Sequence, residues 1–198
     1  VEEDLPSLRE AEVPVVASVA GGSLGEYVNV ASSLHLKPGI VALEVCVSCP
    51  DDERDGQPFY VRPERLTEVV GAVARLSRVP VFAKLPPLLP GLVQPAQACV
   101  RAGAFGLTLI DQVPALAVDP HRLRTRTATP VGGLSGPAIK PLALAAVYLQ
   151  VWWQPVPHIR SEAEVEPALV ERLRGLDGAL VLVENAAHAI RASKLGPR

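Results

Sequence analysis

Long apolar runs, blocks of like charge and a basic leader are all missing from this sequence. No hydrophobic stretch approaches the roughly 20 residues that a membrane-spanning helix needs. The chain starts with VEEDLPSLRE, which is acidic where a secretory signal would be basic and then apolar. The formal net charge is -2, without a cluster of either sign. We therefore expect a cytoplasmic protein that binds neither nucleic acid nor a membrane.

Cysteine is also scarce, with three residues in a chain of 198. An odd number of cysteines without a secretion signal argues against a framework of disulfides. Two of the three, Cys46 and Cys49, nevertheless stand at C-x-x-C spacing. Stability then has to come from a packed core, for which the hydrophobic content of 48% and the mean hydropathy of +0.25 are sufficient.

Short apolar, β-branched runs alternate with helix-like stretches along the chain. The strand candidates are 13–21, 39–49, 79–87 and 105–111, with weaker ones at 151–159 and 178–185. The helix candidates are 64–76, 92–103, 139–150 and 162–175. Continuous apolar runs of this length suit strands that are buried on both faces, as in a parallel sheet. The alternation of about six β/α units predicts an α/β fold with its functional groups at the carboxyl ends of the strands.

The cysteine pair admits several interpretations. A redox C-x-x-C motif places its first thiol at a helix N-terminus, whereas Cys46 falls within a predicted strand. The segment after Cys49, PDDERD, is acidic, and its carboxylates disfavour a thiolate. A zinc site would need a second C-x-x-C or C-x-x-H, which the sequence lacks. Burial as inert small hydrophobes suits Cys46 and Cys99. Cys49 follows the strand and opens a polar loop, which is where a β/α barrel keeps its catalytic groups.

Five motifs, in this order and spacing, resemble the class 1 dihydroorotate dehydrogenases. They are PVVASVAGG, ALEVCVSCPDDERDGQPF, PVFAKLPP, AGAFGLTLID and GGLSGPAIKPLAL, within about residues 5 to 150. The resemblance is to the type 1B catalytic subunit in particular, which works with a partner electron-transfer subunit. It implies a (β/α)8 TIM-barrel-derived fold and a flavoprotein oxidoreductase with flavin mononucleotide (FMN) as its cofactor. The implied reaction oxidises dihydroorotate to orotate in pyrimidine biosynthesis.

The resemblance implies roles for single residues. Cys49 of the SCP turn matches the general base, which takes a proton from the dihydropyrimidine ring. Lys84 matches a lysine that contacts the flavin ring and favours negative charge on it. Ile110 matches an apolar residue beside the ring, and Gly136 matches a glycine that lets the backbone approach it. A glycine at position 136 equally suits a turn with positive φ.

Other ligand positions depart from the family pattern. Cys46 and Asp51 stand where the family has asparagines that hold substrate, the first of which also reaches the flavin. Ser18 stands at a further expected asparagine of the cofactor site, and Asp111 and Gln112 replace an asparagine and a hydroxyl residue at the substrate. Carboxylates in place of amides remove donors and repel an anion such as orotate. Each unmatched polar contact costs about 1–3 kcal/mol, so several such exchanges together are expected to abolish useful affinity for orotate.

The resemblance also locates the FMN phosphate. It aligns Pro157 and His158 with two glycines of the phosphate cup, and Glu184 and Asn185 with a glycine and a threonine of that cup. Proline has no N–H to donate, and a carboxylate opposes a phosphate. His158 or Arg160 would compensate if either points inward. An ordinary loop at these positions is the alternative interpretation.

We expect residues 1–198 to form a single incomplete (β/α) barrel domain. About six β/α units do not close an eight-stranded barrel, and they leave two open sheet edges. A second copy in a homo-oligomer, or a partner chain, is expected to cover those edges.

Different classes of function remain open. The retained Cys49 and Lys84 support a dihydroorotate dehydrogenase-like FMN oxidoreductase. The substitutions at ligand positions, beside scaffold motifs such as GGLSGPAIKP, instead support a non-catalytic degenerate barrel, a pseudoenzyme that acts as a subunit or interaction protein. A changed substrate is a third hypothesis, because Asp51 and Asp111 favour a cationic or donor-rich ligand.

Overall fold

The computed structural model describes residues 4–88, 91–152 and 181–183. In chain order the helices and strands are α1 (Asp4–Glu10), β1 (Val15–Val19), α2 (Leu24–Leu34), β2 (Ile40–Cys46), α3 (Pro63–Leu76), β3 (Val81–Leu85), α4 (Val93–Arg101), β4 (Gly106–Leu109), β5 (Val113–Ala115), β6 (Val118–Asp119), β7 (Arg124–Thr125), β8 (Gly132–Leu134), α5 (Lys140–Trp152) and β9 (Val181–Val183). Two short 3-10 helices lie at Phe59–Val61 and Pro137–Ile139.

A parallel sheet is the centre of the molecule. In the described part of the chain it has five strands, in the order β1-β2-β3-β4-β9. Each of the first three crossovers carries a helix, as a parallel connection requires. The carboxyl ends of β1 to β4 therefore meet at one edge of the sheet, and the prediction of an α/β fold is confirmed.

Strands β2 to β4 are apolar because both of their faces are covered. Every residue of β3 and β4 is buried, and β2 is buried from Ala42 to Val45. Helix α3 packs its apolar stripe, with Leu66, Val69, Val70 and Val73, into the same core. The spacing of these four residues is that of one helix face. The strands predicted at 13–21, 39–49, 79–87 and 105–111 and the helices at 64–76, 92–103 and 139–150 are confirmed within a few residues at each end.

Helix α2 was not among the predicted helices. Ser23 is its N-cap, and the Ser23 Oγ accepts a hydrogen bond from the Glu26 N–H at 3.2 Å. The Glu26 carboxylate in turn accepts from the Gly22 N–H at 2.7 Å. Ser and Glu three residues apart are the signature of a capping box, so the sequence did carry a signal for this helix.

The remaining predictions concern the end of the chain. Val151 and Trp152 belong to helix α5, so the strand predicted at 151–159 is wrong at its first two residues. The rest of that segment and the helix predicted at 162–175 lie outside the described residues. Strand β9 falls within the candidate at 178–185 and pairs directly with β4. No helix within the described ranges is long and apolar enough to cross a membrane.

Candidate functional site

Polar side chains from the four neighbouring strands β1 to β4 contact one another. The Glu44 carboxylate of β2 lies 2.9 Å from the Lys84 Nζ of β3, and both side chains are about nine-tenths buried. Glu44 also accepts hydrogen bonds from the Ser18 hydroxyl of β1 at 3.1 Å and from the Thr108 hydroxyl of β4 at 2.8 Å. Charges in an apolar interior are stable only with such partners. The strand-end lysine predicted to contact the flavin is thus held by an ion pair with Glu44.

Cys49 lies in the turn that follows β2, surrounded by hydrogen-bond donors. Cys46, Tyr27 of α2 and the Gly21 backbone N–H are the groups that favour a thiolate at its sulfur. Tyr27 is fully buried, and its hydroxyl also donates to the Cys46 carbonyl at 2.5 Å. The half-buried Cys49 therefore lies where three segments of the chain converge.

These donors favour the charged form of Cys49. The hydrogen bond from Cys46, followed by those from Tyr27 and Gly21, lowers the pKa of the Cys49 thiol to about 6, against the opposing effects of burial and of the Asp111 carboxylate. The same hydrogen bond, together with burial, raises the pKa of the Cys46 thiol far above its usual range. A protonated Cys46 beside a Cys49 thiolate is therefore the stable arrangement at neutral pH.

Asp111 and Gln112 follow β4 at the same edge of the sheet. The Asp111 N–H donates to the Leu85 carbonyl at 2.9 Å, and the Gln112 N–H donates to the Asp111 Oδ1 at 2.8 Å. The Asp111 Oδ2 lies 3.6 Å from the Cys46 sulfur. The structure thus brings Asp111 and Gln112 together with the cysteine pair, as neighbouring strand ends require.

Asp51 is placed differently from the other predicted substrate residues. Its carboxylate is buried and accepts from the Arg65 Nε at 2.7 Å and from the Arg65 NH2 at 3.0 Å. Glu53 and Glu68 also bind Arg65, each across 2.6 to 2.7 Å. These contacts hold the loop after β2 against helix α3, so the Asp51 carboxylate already has a full set of protein donors.

Phe59 connects that loop to the cysteine site. Its ring meets the ring of Tyr27 edge to face, with 5.2 Å between centroids, and the Arg65 guanidinium lies 5.4 Å from its centroid. The Phe59 N–H donates to the Cys49 carbonyl at 3.2 Å. Packing of one aromatic side chain therefore positions Tyr27, Arg65 and the backbone of Cys49 together.

Ile110 and Gly136 complete the predicted cofactor residues. Ile110 is fully buried in the core, directly before Asp111. Gly136 has φ +88° and ψ -166°, a combination open essentially to glycine alone, and a Cβ built on it would meet nothing within 4 Å. The backbone conformation therefore accounts for a glycine at this position, and the open space beside it leaves room for a ligand.

These residues can be compared with what the flavin ring of FMN would need from its binding site. The buried Ser48 hydroxyl has no hydrogen-bond partner among the described residues, which leaves a polar atom available for a ligand. Lys84 provides a cation at the strand ends, and the backbone at Gly136 is open. The described residues thus fit the flavin ring. The residues aligned with the phosphate cup, Pro157, His158, Arg160, Glu184 and Asn185, lie outside the described residues.

A separate cleft lies beside this site. Its volume is about 630 Å³, and helices α2 and α3 and the loop after β2 line it with Leu24, Gly25, Val28, Asn29, Glu53, Arg54, Arg65 and Glu68. None of the predicted cofactor or substrate residues lines this cleft.

Tyr27, Glu44 and Arg65 were not identified from the sequence. Glu44 did carry a signal, because a carboxylate in the middle of an apolar strand requires a buried partner and the next strand contains Lys84. Tyr27 and Arg65 carried no comparable signal, since Tyr27 contacts the Cys46 carbonyl 19 positions away and Arg65 contacts Asp51 14 positions away.

Parallel strands joined by helices, with thiol, lysine and carboxylate groups at their carboxyl ends, define an α/β protein of the TIM-barrel type. A crystal structure of DHODH from Eimeria tenella in complex with ferulenol has a similar fold, with a TM-score of 0.52, 13% identity and coverage of 83% of this chain and 43% of that one. The family model for dihydroorotate dehydrogenase matches residues 1–153. The chain belongs to the dihydroorotate dehydrogenase family.

Curated relatives agree with this family. The catalytic subunit of dihydroorotate dehydrogenase B (NAD(+)) from Geobacillus sp. (strain WCH70) is 40% identical over 148 residues, which are 75% of this chain and 47% of the relative. The subunit of the same name from Anoxybacillus flavithermus is 41% identical over 146 residues, 74% of this chain and 47% of that one. The chain spans about half the length of the curated relatives it matches.

Proposed function

We propose that this chain takes part in the oxidation of dihydroorotate to orotate, with FMN as the cofactor and Cys49 as the general base. The observation that carries the proposal is that the Cys46–Cys49 turn, the Glu44–Lys84 ion pair and Asp111 meet at the carboxyl ends of β2, β3 and β4. Family membership supports the reaction, and the arrangement at the strand ends supports the site.

Cys49 has the properties that a base needs. Its pKa of about 6 keeps the thiolate populated at neutral pH while leaving it basic enough to take a proton. The turn that holds it is fixed, because the Tyr60 N–H donates to the Val47 carbonyl and the Phe59 N–H to the Cys49 carbonyl, both at 3.2 Å. The thiolate would accept the proton from the dihydropyrimidine ring.

The residues proposed to hold the flavin ring surround the same edge of the sheet. Lys84 would favour negative charge on the ring, and the Ser48 hydroxyl and the open backbone at Gly136 would receive its polar edge. Ser18, Cys46 and Ile110 complete the proposed cofactor residues. FMN, when bound, supplies the acceptor for the substrate's hydride.

The proposed substrate residues are Asp111, Gln112 and Asp51. Asp111 lies beside the cysteine pair, where its carboxylate would accept from a ring N–H of dihydroorotate. Asp51 is engaged by Arg65 and would contribute by shaping the loop after β2. A negative Asp111 weakens the binding of an anionic product, so we expect orotate to bind less tightly than it would to an asparagine at this position.

A second chain is part of the proposal. The relatives are named catalytic subunits, which supports an electron-transfer partner, and NAD(+) in that name is the proposed final electron acceptor. Within the described residues β1 is an edge strand of the sheet, so a partner chain or a second copy would cover its free side. We propose residues 1–198 as one incomplete barrel domain in such an assembly.

A non-catalytic subunit is the second candidate function. It is favoured by Asp51, because both oxygens of this carboxylate are bound to Arg65. A position that the resemblance assigns to substrate is then already occupied by a protein contact. In this case the barrel would serve as a scaffold for another chain.

Anaerobic reduction of FMN by dihydroorotate distinguishes the two candidates without any electron-transfer partner. The full chain is incubated with FMN, freed of excess cofactor and mixed with dihydroorotate while the flavin absorbance is followed. The enzyme proposal predicts bound FMN and loss of the oxidised flavin band. Cys49→Ser should slow that loss by about 100-fold or more while the amount of bound FMN stays the same.

Cys99→Ser is the matched control, because Cys99 is buried in α4, away from the strand ends. It should reduce FMN at the rate of the unchanged chain. Equal rates in Cys49→Ser and Cys99→Ser would refute Cys49 as the base. A colourless protein whose melting temperature does not respond to FMN would establish the non-catalytic candidate instead.

A further inference from the structure

The two cysteines are close enough for a covalent bond. A tight turn over Val47 and Ser48 begins as β2 ends, so that Cys46 and Cys49 stand at its two ends. The ends of a β-turn lie within about 7 Å of each other, measured between Cα atoms, and a disulfide needs a Cα separation of about 4.4–6.8 Å. The effect of each thiol on the pKa of the other agrees with this closeness.

The surroundings suit oxidation of this pair. Cys49 and Cys46 are both half-buried, whereas Cys99 is fully buried. Cys49 has the donors that stabilise a thiolate, and Cys46 is the thiol placed beside it to resolve an oxidised sulfur. No group of three cysteines, histidines or carboxylates that could hold a metal ion occurs in the described part of the chain.

We propose that Cys46 and Cys49 form a reversible disulfide when a peroxide reaches the strand ends. The Cys49 thiolate attacks one peroxide oxygen, the O–O bond breaks, and the leaving oxygen departs as water after taking a proton, which leaves a sulfenic acid on Cys49. The Cys46 sulfur then attacks the Cys49 sulfur, its proton is released, and a second water leaves. Two thiols lose two electrons in total, and one peroxide is reduced to two waters.

The disulfide would act on the same atom as the proposed chemistry. A sulfur in a disulfide cannot accept a proton from a substrate, so oxidation would switch off the base and a dithiol reductant would restore it. This regulatory consequence depends on the proposed function. The formation of the disulfide does not, because it needs neither FMN nor turnover.

Thiol counting and peptide mass test the disulfide directly. The full chain is treated with hydrogen peroxide, quenched, and titrated in denaturant with and without dithiothreitol. We expect the three free thiols of the chain to fall to one, and the proteolytic peptide that contains both cysteines to lose the mass of two hydrogen atoms. Dithiothreitol should restore all three thiols.

Two variants sharpen the test. Cys46→Ser keeps a donor beside Cys49 but removes the resolving thiol, so Cys49 should instead gain two oxygen atoms and become a sulfinic acid that dithiothreitol does not reduce. Cys99→Ser should form the same disulfide as the unchanged chain. A sulfinic acid on Cys49 in the unchanged chain, or a bond between Cys49 residues of two chains, would overturn the proposal.

Discussion

Asp51 and Arg65 form a two-point ion pair under the loop that follows β2, with N–O distances of 2.7 and 3.0 Å. The side chains are 3% and 7% exposed, so neither charge is solvated by bulk water. The same loop also has an exposed pair, since Arg62 binds Asp55 at 2.9 Å with the two side chains 35% and 52% exposed. One loop thus contains a buried and an exposed version of the same interaction.

The buried pair should contribute far more to stability than the exposed one. Asp51→Asn removes the buried carboxylate but leaves Arg65 its partners Glu53 and Glu68, and we expect the free energy of unfolding at pH 7 to fall by about 1.5–3 kcal/mol. Asp55→Asn should change it by no more than about 1 kcal/mol. Urea unfolding of both variants measures the difference. Equal losses would contradict the structural role assigned to Asp51.

Acid should weaken the same contact. The Arg65 guanidinium lowers the pKa of Asp51 in the folded chain. In the unfolded chain the pKa of this aspartate is the ordinary value of about 3.9. As the pH falls below that value, the unfolded chain therefore binds more protons at this site than the folded chain. The stabilisation is therefore complete above that pH and is lost as the pH falls through the lower folded pKa. The free energy of unfolding should drop less steeply between pH 4 and pH 2 in Asp51→Asn, and parallel curves would argue against the linkage.

Alkylation rates should report the thiolate of Cys49. In the folded chain the rate at Cys49, read by peptide mass after brief iodoacetamide treatment, should have a midpoint near pH 6. Cys46→Ala should raise this midpoint most, because the hydrogen bond from Cys46 is the largest favourable cause, and Tyr27→Phe should raise it less. Asp111→Asn should lower it, because the Asp111 carboxylate opposes the thiolate. A shift in the same direction for Asp111→Asn and Cys46→Ala would show that the assigned causes are wrong.

Gly136 can be tested against Gly56, a second glycine with a positive φ. Gly136 and Gly56 have φ of +88° and +70°, and a Cβ added to either would meet nothing within 4 Å. Alanine at either position should lower the free energy of unfolding by about 1–3 kcal/mol through backbone strain. Only Gly136→Ala should weaken FMN binding, measured by fluorescence titration, if the backbone there approaches the ring. Equal FMN affinity in both variants would leave Gly136 with a backbone role alone.

The order and type of the main elements could be predicted because they follow from local patterns. Apolar runs marked β1 to β4, and in β2 to β4 the reason is that a strand covered on both faces tolerates few polar residues. Helix α2 escaped prediction although Ser23 and Glu26 formed a recognisable capping box. Local signals were thus sufficient for every one of these elements, including the one that was overlooked.

Local sequence patterns did not predict the environment of the cysteine pair. From the sequence, the strand position of Cys46 and the acidic residues after Cys49 argued against a reactive pair, and Cys46 was compatible with inert burial. In the structure Cys46 is half-buried at the strand end, and the nearest of those acidic residues, Asp51, is paired with Arg65. The sequence argument counted the negative charge of Asp51 without its partner Arg65, which only the structure identifies.

The sequence by itself determined a β/α chain with a thiol, a lysine and an aspartate after successive strands, because burial and strand order are encoded in short windows. Only the tertiary structure decided what those groups contact. Tyr27 reaches Cys46 across 19 positions and Cys46 reaches Asp111 across 65. Electrostatic and hydrogen-bonding effects depend on distance in space, so the state of Cys49 depends on the distant Tyr27, Gly21 and Asp111 as well as on its neighbour Cys46.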